Sequence, residues 1–563
     1  MSLFITKTDT KLKELFDKHK VILDNAIKAV HNRTFYAQYP ELPKVYGEIA
    51  PVEGEKRFKE QLNKPFSRLS QSSDSQLVSD EISPYTLQKL NISYPTNKDI
   101  NSTILLSQKA SQTWKHTDPQ SRAAILIESL ERIKNDFFEI AHSTMHTTGQ
   151  AFMMSFQASG PHSNDRALET IALGYQEQTR FPSNVVWDKP MGKTNAILTK
   201  HYRCVPRGIA LTIGCSTFPL WNSLPGIYAS LITGNTVIVK AHPTAIYPLA
   251  IAVARIQEVL KEYNLDPNTI VLAPDNDTRL IAKEFAQHPA VKIIDFTGST
   301  PFGEYIESLK NKVTFTEKAG VNSIIFDSAT EMNPVLQNIA FSLSLYSGQM
   351  CTAPQNIFVP KDGVTINGEK ISYAQVTAAL ADAIQSLANN PKAAPHILGA
   401  IQSEQTLNRI KNTTQLKAKI ILPSQPLSNP DFPNARTATP TLLEVQPSDM
   451  QIYQQEQFGP ITFIIPTDNT NHSIQLAKNI AEMHGALSCS AYSTDPKIIQ
   501  YIAEEMADVA TPVSFNLTGQ IYVNQNAGFS DFHGSGGNPA ANASFTDSPF
   551  LTKRFTIVGM RIQ

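Results

Sequence analysis

From about residue 205 the chain alternates short unbroken apolar runs with longer segments whose apolar residues recur every three or four positions. The runs are "GIALTIG" (208–214), "NTVIVKA" (235–241), "TIVLA" (269–273) and "VKIIDFTGST" (291–300). Helical stretches separate them, among them "IYPLAIAVARIQEVLKEY" and a segment around "TRLIAKEFAQ". Strands apolar on both faces, alternating with helices, predict a parallel sheet covered on both sides. A second set follows: "SIIFD" (323–327), "LQNIAFSLSLYSG", "NIFVP" (356–360), a helix around 373–388, "ITFIIP" (461–466) and "SFNLTGQIYVN" (514–524). The expected fold class is α/β, with two parallel-sheet units. Ligands of such sheets bind beyond the carboxyl ends of the strands.

The flanking segments read differently. Residues 10–35 pattern as an amphipathic helix through Leu12, Leu15, Phe16, Val21, Ile22, Ile27 and Val30. The Ser- and Asp-rich stretch 66–85 keeps no period and reads as a linker or extended surface segment. Turn signals between the β-prone runs of "VVWDKPMGKTNAILTKHYRCVP" (185–206) suggest a hairpin projecting from the body. The expected division is an N-terminal extension (1–85), a first unit (86–320) bearing the hairpin, a second unit (321–524) and a tail (525–563).

Composition narrows the function classes. The chain has 563 residues, 18% of them charged and 41% hydrophobic, and a formal net charge of −1. No overall basic field would draw nucleic acid or anionic lipid. No run reaches the roughly 20 apolar residues of a membrane span, and "MSLFITKTDTKLKELFDKHK" lacks the apolar core of a secretory signal. A cytoplasmic protein is expected. Cys204, Cys215, Cys351 and Cys489 form no Cys-x-x-Cys pair or zinc-ligand spacing, so no metal site is expected.

Candidate chemistry sits at the predicted strand ends. Lys240 closes "VIVKAHP", where a cation could meet a phosphate or ribose or simply be solvated. "DFTGSTPFGEYIESL" passes through Gly298 and Ser299 into a helix whose first N–H groups suit a phosphate, or are merely capped. Glu317 ends a β-rich run directly before Lys318-Ala319-Gly320, and Cys351 lies 34 residues further on in "YSGQMCTAPQ". Taken alone, Cys351 reads as a buried core thiol. In "EQFGP" (456–460), Glu456 alone reads as surface and Phe458 as core.

In order and spacing, Thr217–Pro219, Lys240, Gly298-Ser299-Thr300, Glu317, Cys351 and Glu456–Pro460 resemble the aldehyde dehydrogenase superfamily, from about residue 100 to the C-terminus. The resemblance implies that Glu317 is the general base, Cys351 the nucleophile, and Lys240 and Ser299 dinucleotide-binding residues. Glu456 would bind the nicotinamide ribose, beside Phe458. It implies a cofactor-binding domain over 86–320, a catalytic domain over 321–524, and a hairpin and tail (525–563) that form the intersubunit sheet of a homodimer or homotetramer. Two positions depart from the family pattern. Thr217 stands where an oxyanion-binding Asn is usual, and losing such a donor costs about 2.7–4 kcal/mol. Pro243 stands where NAD-preferring members carry a ribose-binding Glu. With Lys240 and His242 close by in sequence, NADP is expected in preference to NAD.

More narrowly, "HTTGQAFMMSFQASGPHSNDR" (146–166), "IGCSTFPLWN" (213–222), "TEKAGVN", "FSLSLYSGQMCTAPQNIFVP" and "YPELPKVYGE" (39–48) are similar to the PaaN-type aldehyde dehydrogenases of phenylacetate degradation. That similarity implies oxidation of a coenzyme A-linked semialdehyde to an acid. The chain runs about forty residues beyond "IYVNQNAGF", too few for a hydratase domain, so ring opening would fall to a separate partner. Two alternatives stand beside this reading. One is a hydrolytic dehydrogenase for another aryl or acyl-CoA-linked semialdehyde. The other is a catalytically impaired relative with a structural or binding role.

Overall fold

The computed structural model describes residues 10–521, 529 and 533–563. The end of the expected strand "SFNLTGQIYVN", residues 522–524, lies outside the described residues, as does 1–9.

The first apolar runs form a five-stranded, all-parallel sheet. Its spatial order is Ile270–Leu272, Thr236–Lys240, Ile209–Ile213, Val291–Thr297, Val313–Glu317. All five residues of Ile209–Ile213 and of Thr236–Lys240 are buried, as expected for strands covered on both faces. The chain order reverses beside the central strand, so a crevice opens past the carboxyl ends of Ile209–Ile213 and Val291–Thr297. Helix Pro219–Ile232 leaves the first of these strand ends with Pro at its first position, where the missing N–H has no helical partner to lose.

The second set builds a seven-stranded sheet. Its order is Lys419–Leu422, Thr441–Glu444, Ile461–Thr467, Pro354–Pro360, Asn322–Phe326, Cys489–Tyr492, Val513–Phe515. Only the edge strand Lys419–Leu422 runs antiparallel. A separate three-stranded antiparallel arm pairs Asn184–Met191 with Thr194–Pro206, and the latter with Phe555–Ile562.

The N-terminal helix extends over Thr10–Asn32, and its Leu15, Leu23 and Ala26 join the main hydrophobic core. The reading of 66–85 as a linker needs correcting. Phe66, Gln71, Ser79, Glu81, Ser83 and Tyr85 are all buried, and Ser75–Val78 pairs with Ser93–Thr96. The segment is polar because its side chains serve the backbone of other elements. The Gln71 amide brackets the edge strand, donating to the Leu272 carbonyl at 2.7 Å and accepting from the Leu272 N–H at 2.8 Å. Glu81 accepts the N–H groups of Ile246 and Tyr247, both at 2.7 Å, and so caps helix Tyr247–Glu262.

Candidate active site

Cys351 follows a turn that the chain could not form without help. After helix Met332–Ser344, Tyr346, Ser347 and Gly348 take φ values of 50°, 49° and 63° in succession. For residues with a Cβ, this left-handed backbone costs about 1–2 kcal/mol each. Their side chains hold it in place. The Tyr346 hydroxyl donates to the Thr148 carbonyl at 2.5 Å, and Ser347 Oγ faces the carbonyls of Leu398 (3.1 Å) and Ala438 (3.2 Å). Gln349 donates to the Ala400 carbonyl at 2.9 Å and accepts from the Gln402 N–H at 2.8 Å. Asn322 Nδ2 then fixes the carbonyls of Cys351 (2.8 Å) and Ala353 (3.0 Å).

The turn delivers Cys351 to the junction of two cavities. One, of about 590 Å³, is lined by Met153, Met154, Trp221, Phe341, Leu345 and His533, among others. The other, of about 550 Å³, is lined by Thr217, Gly298, Ser299, Glu317, Glu456 and Phe458, among others. Cys351, Phe218 and Asn222 belong to both walls.

Glu317, the last residue of Val313–Glu317, is 1% exposed. His533 Nε2 lies 3.0 Å from its Oε2 and 3.6 Å from Cys351 Sγ, while Asn222 Nδ2 donates to Oε2 at 3.2 Å. Burial works against the Glu317 carboxylate, but His533, the Cys351 thiol and Arg166 outweigh it and hold the carboxyl below its usual range. Burial, and then the Glu317 charge, push the Cys351 thiol well up. The resting pair is therefore a carboxylate beside a neutral thiol. Arg166 is itself buried, with its guanidinium stacked 4.0 Å from the Trp221 ring, and Trp221 meets His533 edge-on at 4.5 Å.

His533 and Asn222 are the site residues that the sequence reading missed. Asn222 stands within the quoted stretch 213–222, five residues after Thr217, in the first turn of helix Pro219–Ile232. His533 comes from the segment read as an intersubunit tail. Part of that segment, 538–542, packs along the Glu317 strand: Lys318 N–H donates to the Ala540 carbonyl at 2.6 Å and Asn542 N–H to the Thr316 carbonyl at 3.1 Å. The metal-free expectation also needs qualification, because the ligand atoms of Glu317, Cys351 and His533 all lie within 4.8 Å of one another, close enough to share an ion.

The remaining residues divide. Ser299 occupies the N-cap position of helix Thr300–Glu307, without a side-chain capping bond, on the wall of the second cavity, and the preceding Gly298 N–H donates to the Glu317 carbonyl at 3.0 Å. This helix start with its neighbouring cleft fits a dinucleotide's phosphates. Glu456 has its carboxyl pushed up to about 7 by burial, against the pull of the Gly320 N–H and Arg409. The Thr217 carbonyl accepts from Gln150 Nε2 at 2.7 Å. Lys240 and Pro243 are buried, and neither is among the residues lining the second cavity. Lys240 Nζ is paired with Asp275 at 2.8 Å, and burial, followed by Lys240, pushes His242 down to about 4. These two groups supply no free positive charge beside Pro243, whose lack of a carboxylate was the other ground for expecting NADP.

The aldehyde dehydrogenase family profile matches residues 71–545. The crystal structure of an NAD-dependent aldehyde dehydrogenase from Burkholderia multivorans is 44% identical, with a TM-score of 0.95, over 97% of this chain and 98% of that one. An aldehyde dehydrogenase-like protein of Saccharomyces cerevisiae is 27% identical over 434 residues, 73% of this chain but only 64% of that relative's length. A 1-pyrroline-5-carboxylate dehydrogenase of Halalkalibacterium halodurans is 24% identical over 396 residues, 68% of this chain and 72% of its own. The chain belongs to the aldehyde dehydrogenase family, with that family's two-sheet α/β fold, and is an NAD(P)-dependent oxidoreductase of that class.

Proposed function

We propose that the chain oxidises an aldehyde to a free carboxylic acid, with Cys351 as nucleophile and Glu317 as base. The observation that carries this is Cys351 at the junction of both cavities beside an ionised Glu317. Glu317 takes the Cys351 proton, and Sγ adds to the carbonyl carbon entering from the first cavity. The oxyanion forms within reach of Asn222 Nδ2 and the Cys351 N–H, with the Thr217 hydroxyl as a further donor from the other wall. Ser299 and Glu456 would hold a nicotinamide dinucleotide at the second cavity, and that cofactor would supply the hydride acceptor. Sγ is left holding the acyl group as a thioester. Glu317 releases its first proton through the cavity, then takes one from the water that hydrolyses the thioester. Cys351→Ala should abolish turnover, and Glu317→Gln should lower kcat by about 10²–10⁴-fold. Wild-type-like rates in either variant would refute the assignment.

We further propose a PaaN-type substrate, a semialdehyde linked to coenzyme A. The motif similarity supports it, and so does the first cavity. Met153, Met154, Phe218, Trp221, Phe341 and Leu345 line it beside Glu41, His162, His396 and His533, and among the described residues no Lys or Arg does. An uncharged acyl arm suits such a wall, with the coenzyme's phosphates remaining outside. A screen of coenzyme A-linked semialdehydes against simple aryl aldehydes tests this. Higher kcat/KM for the simple aldehydes would favour the alternative reading.

The three-stranded arm is proposed as the subunit interface. Val186, Ile197, Ile557 and Val558 are more than half exposed on it, and its outer strands are open edges.

A further inference from the structure

Asp80 lines the second cavity beside Ile82, His242 and Thr244, although it belongs to the N-terminal extension. Its Oδ2 accepts the Asp277 N–H at 2.7 Å. Asp277 follows by two residues the Asp275 that holds Lys240. Asp80 is therefore anchored at the corner where strands Thr236–Lys240 and Ile270–Leu272 end. In a nucleotide-binding parallel sheet, this is where a carboxylate meets the adenosine ribose. Among the described residues no donor holds its Oδ1, which is available to a ligand.

The charges at this corner can be counted. The Lys240 ammonium is cancelled by Asp275 and does not reach the cavity wall. His242 is neutral at physiological pH, with Nδ1 accepting from the Thr244 N–H at 3.3 Å. The cations elsewhere on the cavity wall are engaged. Lys318 pairs with Glu307 (3.0 Å), Arg436 with Glu404 (2.7 Å), and Arg409 donates to the Phe458 carbonyl (2.6 Å). Among the described residues no cation is paired with Asp80, so its carboxylate is an unpaired negative group on this wall.

We propose that Asp80 selects NAD over NADP, accepting the ribose hydroxyls and repelling a 2′-phosphate. It would supply from the extension the carboxylate that Pro243 does not. The inference rests on the second cavity being the dinucleotide cleft. A like charge at short range acts on binding rather than on chemistry, so the effect should appear mainly in KM.

The test is steady-state kinetics of the full-length wild type, Asp80→Asn and Asp277→Asn with both cofactors. Asn at 80 keeps an oxygen for the Asp277 N–H, and thermal unfolding monitors the local fold. The wild type should prefer NAD. Asp80→Asn should raise the NADP-to-NAD ratio of kcat/KM at least tenfold, chiefly by lowering KM for NADP, and Asp277→Asn should leave it unchanged. A wild-type preference for NADP would overturn the proposal. So would a shift below threefold in Asp80→Asn, or an equal shift in both variants. Absence of turnover with either cofactor would instead reject the Cys351–Glu317 oxidation proposed above.

Discussion

Removing His533 should move the acid limb of the pH profile, because His533 does most to favour the Glu317 carboxylate. With it gone, burial is less opposed, the Glu317 pKa rises, and kcat/KM begins to fall at a higher pH than in the wild type. His533→Ala with an unmoved limb would show that the 3.0 Å contact does not tune the base. Asn222 calls for a different measurement. Asn222→Ala should cost about 10²–10³-fold in kcat, as removal of one oxyanion donor does, whereas Thr217→Val should cost less. The reverse order would return the oxyanion to Thr217. At this scale Cys351 and Glu317 are visible in the sequence through the order and spacing of several short motifs, since Cys351 alone reads as a core thiol. His533 is 182 residues from Cys351, and no local pattern records that distance in space.

The turn before Cys351 shows how an element constrains its sequence. A Cβ on Gly348 would lie 2.6 Å from the Gly459 carbonyl oxygen, and the residue's φ is +63°. Gly368 has a φ of +83°, but nothing lies within 4 Å of the equivalent Cβ. Both substitutions to Ala carry the backbone cost of about 1–2 kcal/mol, and Gly348→Ala adds a backbone clash. Gly348→Ala should therefore lower the unfolding temperature more than Gly368→Ala and also impair activity. Equal unfolding temperatures would mean that the 346–348 turn is not under the constraint described. The sheet strands were legible as elements because both-face burial leaves continuous apolar runs. The segment 66–85 was not, because polar side chains that cap other elements look like those of a solvated linker until their partners are known.

For the whole molecule, the arm and the two-cavity arrangement make separate demands. If the arm joins subunits, Ile557→Asp combined with Val558→Asp should dissociate them, read by sedimentation velocity, because charge replaces an exposed apolar side chain on each face of the Phe555–Ile562 strand. A wild-type monomer, or an unaltered oligomer in the variant, would remove the arm from the interface. The two-sheet plan was readable from the alternation of strands and helices. The meeting of the extension, both sheets and the 533–545 segment around one thiol was not, since it depends on contacts between residues hundreds of positions apart. The most direct test of the central claim is acid-quenched peptide mass spectrometry of the wild-type enzyme during turnover of an aryl aldehyde with NAD. The account predicts an acyl group on Cys351 that forms only with cofactor present and is absent from Cys351→Ala. Reduced cofactor accumulating with no acyl group on Cys351, or with one on another residue, would contradict it.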